Sequence, residues 1–288
     1  FIPDPTATES GLDEMDEHFS YLHELAMGLV QRGCQVDLFT CRTNSDQPEV
    51  VEHISGYRTI HLTTGTAEYI PADRVFEHLF AFVDAWFEFQ QRSHRKYSLL
   101  HTNNWLSGWA GLQLKRYLQA PLVHTCHVID DLTPLQMEHP EIWQSVEWAC
   151  LEQADCIIAT TPLEGIVLRQ ILPEYQRMRV IPRSIDTQNF GTISQADARQ
   201  QLGIAQTTHL VLYTGQFEPN QGIETLIKAC FFLPASFRLY LVNRGASDSK
   251  EIPEFVRTLV KALDLERLVV FVDKAERSQL PLYYAAAS

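Results

Sequence analysis

Short apolar runs that do not alternate with polar residues recur along this chain, and stretches of helical spacing separate them. Leu210-Val-Leu-Tyr213, Cys156-Ile-Ile-Ala159 and Leu268-Val-Val-Phe-Val272 are examples. A strand with one wet face alternates, whereas a strand covered on both faces reads as a continuous apolar run. A chain that keeps passing from a buried strand to a helix and back builds parallel sheets with helices on both sides. The fold class is therefore α/β, doubly wound.

Helical spacing predicts helices over residues 19–30, 71–91, 105–118, 141–154, 162–172, 196–202, 222–233, 253–263 and from 280 to the end. Strands are expected at 34–39, 58–62, 98–101, 121–126, 156–160, 179–182, 209–214, 237–242 and 268–272. Pro71 and Pro162 stand where a helix begins, a position that tolerates a missing N–H. Polar residues and Gly191 interrupt the alternation between 184 and 194. This divides the chain into two Rossmann-like domains, 1–185 and 186–288. In such folds ligands sit beyond the carboxyl ends of the strands.

Length and charge narrow the function. The 288 residues suit two domains of ordinary size. A formal net charge of -13 argues against nucleic acid or an anionic membrane as partner. The six cysteines form no Cys-x-x-Cys pair, as expected for free thiols of a cytoplasmic protein. No apolar run reaches the about 18 residues that span a bilayer, and no signal peptide is visible. The chain opens on Phe1 without Met and closes at Ser288 inside a helical pattern, so further sequence is expected at both ends.

Four places could carry chemistry. The first is Gly215-Gln-Phe-Glu-Pro-Asn-Gln-Gly222, between a buried strand and an amphipathic helix. Such a loop aims backbone N–H groups and a helix N-terminus at one spot, which suits a phosphate. It is equally the form of an ordinary strand-to-helix turn. The second is His124-Thr-Cys-His127 at a strand end. Two imidazoles three residues apart on extended chain do not share a face, so no metal pair is expected, and one His can hydrogen-bond a sugar hydroxyl or a carbonyl. The third is His101-Thr-Asn-Asn-Trp105. Its Trp face and amides suit a carbohydrate, while Asn104 can equally cap a helix and Trp105 pack. The fourth is Asp13-Glu-Met-Asp-Glu17, acids of the kind that stabilise a helix N-terminus.

These residues resemble the family 4 glycosyltransferases of GT-B fold, the likeness running nearly end to end. Within that family the sucrose-phosphate synthases and sucrose synthases of cyanobacteria are most similar. The likeness is carried by Tyr21-Leu-His-Glu-Leu-Ala26, Gly33-Cys-Gln-Val-Asp-Leu-Phe-Thr40, Asp46-Gln-Pro-Glu-Val-Val51, His101 to Ser107, Val123 to His127, Leu151 to Cys156, Ala159 to Glu164, Val180-Ile-Pro182, Gly215 to Gly222 and Leu280 to Ala287. The resemblance implies retaining transfer of glucose from UDP-glucose or ADP-glucose to fructose 6-phosphate or a related sugar. It implies no protein nucleophile, no cofactor and no metal, and catalysis in a cleft between an N-terminal acceptor-side domain and a C-terminal nucleotide-sugar-side domain. It assigns His127 as the catalytic contact to the transferred sugar. Glu17, His18, His101, Asn104 and Trp105 fall at the substrate, and Gly215, Gln216, Gln221 and Gly222 at the nucleotide sugar. Partners beyond substrates would be a second copy or an active synthase.

The departures from the family's pattern concentrate on anion contacts. Asp16 and Glu17 stand where the family has a Gly-Gly pair, Gln216 where it has Arg and Gln221 where it has Lys. Thr133 replaces an acceptor-side Lys, Trp143 an Arg, and the hinge motif reads Pro182-Arg-Ser184. A Glu-x7-Glu segment that holds the donor would fall after Ser288, leaving the second domain incomplete. A charge-assisted hydrogen bond to phosphate is worth about 1.5–3 kcal/mol. Loss of two such cations removes several powers of ten in rate, at about 1.4 kcal/mol for each. Two readings stand: a divergent glycosyltransferase with an impaired donor site, and a non-catalytic homologue acting as a binding or regulatory partner.

Overall fold

The computed structural model describes residues 17–65, 75–126, 140–172, 177–185, 187, 189–215, 217, 222–243, 252–273, 275 and 277–288. These divide into two compact units, one ending at Ser184 and one spanning Ile185–Ser288. Both alternate strands with helices, as the continuous apolar runs require.

The first unit runs α1 (Glu17–Gln31), β1 (Val36–Cys41), β2 (Val50–Ile54), β3 (Tyr57–Leu62), α2 (Val75–Ser93), β4 (Leu100–Asn103), α3 (Trp105–Leu118), β5 (Leu122–Cys126), α4 (Pro140–Gln153), β6 (Cys156–Ala159), α5 (Pro162–Ile171) and β7 (Met178–Val180). Strands β4-β5-β6-β7 pair in that order, all parallel. A second sheet has the order β1-β3-β2, with β3 parallel to β1 and antiparallel to β2. One core, centred on the fully buried Trp86, draws Phe39 and Ile60 from one sheet and Leu100 and Leu122 from the other.

Strand β2 was not expected. Its residues Val-Val-Glu-His-Ile are half exposed and alternate weakly, so they lack the signature of a covered parallel strand. The turn at Ser55-Gly56, with Gly56 at φ 96°, folds β2 back on β3 as a hairpin.

A buried carboxylate ties this unit together. Asp37 of β1 receives Arg58 Nε at 2.9 Å, Arg58 Nη2 at 2.6 Å and the Tyr97 hydroxyl at 2.7 Å. Arg95 adds a longer contact at 3.5 Å. Burial alone would raise the Asp37 pKa, but these donors outweigh it and hold the carboxyl below its ordinary range.

The second unit runs α6 (Gln195–Leu202), β8 (His209–Gly215), α7 (Ile223–Cys230), β9 (Phe237–Asn243), α8 (Glu254–Ala262), β10 (Val269–Val272) and α9 (Leu280–Ala286). Its sheet has the order β10-β9-β8, all parallel. Central strand β9 explains the lack of alternation: Leu239 and Leu241 pack on α7 and α8, while Tyr240 and Val242 join cores with α6 and α9. Arg199 of α6 is buried and donates to the carbonyls of Ala286 and Gln206 and to the Ser288 hydroxyl, clamping α6 against the end of α9.

Candidate functional site

In the first unit, the polar residues singled out from the sequence gather where parallel strands β4 and β5 end. The register sets His101 beside Val123, Thr102 beside His124 and Asn103 beside Thr125. His101 shares a hydrogen bond of 2.7 Å with the Thr125 hydroxyl. Its ring is buried, and burial drives its pKa down to about 3, so the imidazole is neutral at physiological pH.

Asn104 and Trp105 begin α3. Asn104 has φ 73° and caps the helix, its side chain accepting from Ser107 N at 3.1 Å. Trp105 stacks on Phe76 of α2 with 5.9 Å between ring centres. The neighbouring Asn103 is the more unusual amide. It is fully buried, and among the described residues neither its Oδ1 nor its Nδ2 has a hydrogen-bond partner. An unsatisfied buried amide costs about 1–3 kcal/mol, so it is a natural contact for a ligand hydroxyl. The motif containing it was legible; which of two adjacent Asn is buried was not, because that depends on where β4 ends and α3 begins.

Strand alternation places His124 and Cys126 on one face of β5, and α4 brings Glu147 and Cys150 across it. The Cys126 thiol donates to Glu147 Oε1 at 3.1 Å, and His124 Nε2 lies 3.8 Å from the same oxygen. Burial would raise the Glu147 carboxyl; the His124 ring and Cys126 thiol outweigh it and hold it below its ordinary value. Burial, with the Glu147 charge beside it, pushes the Cys150 thiol well up, so this sulfur is not a ready nucleophile. Helix α3 reaches this cluster only because residue 108 is glycine. A Cβ there would stand 2.5 Å from Cys150 Sγ and 3.1 Å from His124 Cε1.

Glu17 and His18 occupy the first turn of α1, but their side chains lie outside the described residues, as do all of His127, Thr133, Gln216 and Gln221. Trp143 falls in α4, its side chain likewise outside them.

In the second unit, Gly215 ends β8, paired with Asn243 of β9. Gly222 precedes α7 at φ 73°, a conformation that strains any side chain, and among the described residues no side chain caps the helix.

A model of Glycosyltransferase Family 4 matches residues 19–189. A D-inositol 3-phosphate glycosyltransferase from Kineococcus radiotolerans is 29% identical over 285 residues, covering 93% of this chain and 65% of that protein. Another from Corynebacterium glutamicum is 26% identical over 286 residues, covering 93% of this chain and 67% of that protein. The chain thus spans about two thirds of the length of these curated relatives. A sucrose-phosphate synthase from Thermosynechococcus elongatus superposes with a TM-score of 0.83 at 33% identity, over 99% of this chain and 73% of that one. Anabaena HepE, solved with UDP and glucose, shares the fold at a TM-score of 0.66 and 20% identity, over 99% of this chain and 71% of that one.

Proposed function

Because the chain is a member of glycosyltransferase family 4, we propose that it takes part in retaining glucosyl transfer from a nucleotide sugar to fructose 6-phosphate or a related sugar. The observation that carries this reading is the 33% identity, at a TM-score of 0.83 over 99% of the chain, to a sucrose-phosphate synthase. The reaction breaks the bond from glucose C1 to the diphosphate oxygen and forms a bond from C1 to an acceptor hydroxyl, whose proton leaves with the diphosphate. The second unit supplies the donor side: β8, the loop from Gly215 to Gly222, and the uncapped start of α7. The first unit supplies the acceptor side at the ends of β4 and β5, with neutral His101 and buried Asn103 as hydrogen-bonding groups and His127 contacting the transferred sugar. Glu17, His18, Asn104 and Trp105 complete this assignment. None of the six cysteines is in a disulfide, which fits a reducing cytoplasm. Among the described residues no helix is long and apolar enough to cross a membrane.

The second reading, a non-catalytic partner of an active synthase, is favoured by Gln216 and Gln221. Both are neutral where the resemblance implies cations beside the leaving diphosphate. The test is product formation. The chain is incubated with UDP-glucose or ADP-glucose and fructose 6-phosphate, and a disaccharide phosphate is sought by mass spectrometry. Donor-dependent product supports the enzyme. Its absence from folded protein, with every donor tried, overturns it in favour of the second reading.

A further inference from the structure

The His124, Cys126 and Glu147 cluster has no role in the transfer just described, yet its chemistry is unusual for a protein interior. His124 and Cys126 are fully buried and Glu147 is 6% exposed. Their nitrogen, sulfur and oxygen atoms all lie within 4.8 Å of one another. Among the described residues, His124 Nε2 and Glu147 Oε2 have no hydrogen-bond partner. On its other side His124 Nδ1 is fixed by the Thr102 hydroxyl at 2.9 Å, and that hydroxyl also faces the Val123 carbonyl. His124 Nε2 stands 3.8 Å from Glu147 Oε1, outside hydrogen-bond reach, so neither the ring nitrogen nor Oε2 is satisfied. A cation that takes an electron pair from both would satisfy them, with Nδ1–H then donating to the Thr102 hydroxyl.

We propose that His124, Cys126 and Glu147 bind one zinc-type divalent cation that pins α4 to β5, a structural site independent of the glycosyl-transfer reading. Four features agree. Tetrahedral zinc with ordinary bond lengths separates its N, S and O donors by about 3.4–3.6 Å; the cluster's Sγ–Oε1 and Nε2–Oε1 separations are 3.1 and 3.8 Å. A thiolate, a carboxylate and a neutral imidazole sum to two negative charges, so a divalent cation leaves the buried complex neutral. The mixed N, S and O set suits zinc and not magnesium or calcium, which take oxygen alone. The Thr102 contact is the outer hydrogen bond that normally orients a ligating imidazole. On binding, the Cys126 thiol proton leaves to solvent and its sulfur pair becomes the metal bond.

The test uses the full chain stripped with a chelator and titrated with cobalt(II), then zinc. One equivalent of cobalt is expected to produce a thiolate-to-cobalt charge-transfer band in the near ultraviolet, which zinc abolishes, and zinc is expected to raise the melting temperature. Cys126→Ser and Glu147→Gln, each confirmed folded by circular dichroism, should weaken binding at least tenfold, on the order seen for altered metal shells. Cys34→Ser, which alters an exposed thiol, should leave the band intact. The absence of a band in the wild-type chain overturns the proposal, and needs no variant to fold. So does a band that Cys34→Ser removes and Cys126→Ser does not.

Discussion

Replacing Asp37 by Asn keeps its shape and removes its charge. Arg58 then loses a bidentate partner and Tyr97 an acceptor, at distances of 2.6 to 2.9 Å. Breaking a buried ion pair by removing one member costs about 3–5 kcal/mol. The Arg58 side chain retains 19% exposure and can be partly rehydrated, which places the expected cost near the lower bound, about 3 kcal/mol. For a unit of this size that corresponds to a melting temperature lower by about 6–12 °C. Urea denaturation followed by tryptophan fluorescence reports it, since Trp86 lies in the same core. The pH dependence has a definite sign. Asp37 is held below its ordinary pKa, so its contribution is present above the unfolded value of about 3.9 and is lost as pH falls through the folded value. His101, depressed to about 3, also loses stability in acid, from the unfolded value near 6.5 downward. The comparison is therefore between wild type and Asp37→Asn at each pH: the gap is full at pH 7 and closes below about pH 4. A change within about 0.5 kcal/mol at pH 7, the range of an ordinary surface substitution, would mean that Asp37 does not tie this unit together.

Gly108→Ala gains about 1 kcal/mol of helix propensity but drives a methyl to 2.5 Å from Cys150 Sγ, an overpacking cost of about 1–3 kcal/mol. Net destabilisation is expected in chemical denaturation, and in a Cys150→Ala background the substitution should become less costly. Arg199→Met removes donors to Ala286 O, Gln206 O and Ser288 Oγ and should lower stability by about 2–4 kcal/mol. Amide exchange should then accelerate first in α9. Gln216→Arg with Gln221→Lys should raise UDP affinity at least tenfold in calorimetry, given about 1.5–3 kcal/mol for each charge-assisted contact. Unchanged affinity would mean that the loop does not face a phosphate.

The α/β fold was readable because burial on both faces leaves a one-dimensional mark, the unbroken apolar run of β6 or β10. Strand β2 was not, because an edge strand half exposed to solvent carries no such mark. At the candidate site, His101 to Trp105 stood out by composition, and the structure places Asn104 at a helix start as one of the two roles open to it. Asn103 is buried because it is the last residue of β4, a boundary that sequence does not display. The meeting of His124 and Cys126 with Glu147 needs a helix to return across a strand about twenty residues later. A His-x-Cys spacing on a strand, followed by Glu-x-x-Cys on a helix, was the available signal, and comparing His124 with His127 passed over it.

If this chain binds nucleotide sugars, calorimetric titration of the folded protein with UDP, UDP-glucose and ADP-glucose shows it. Saturable micromolar binding of at least one of them is expected, tightened by Gln216→Arg with Gln221→Lys. No heat of binding with any of the three, from protein whose fold is confirmed by circular dichroism, would contradict it.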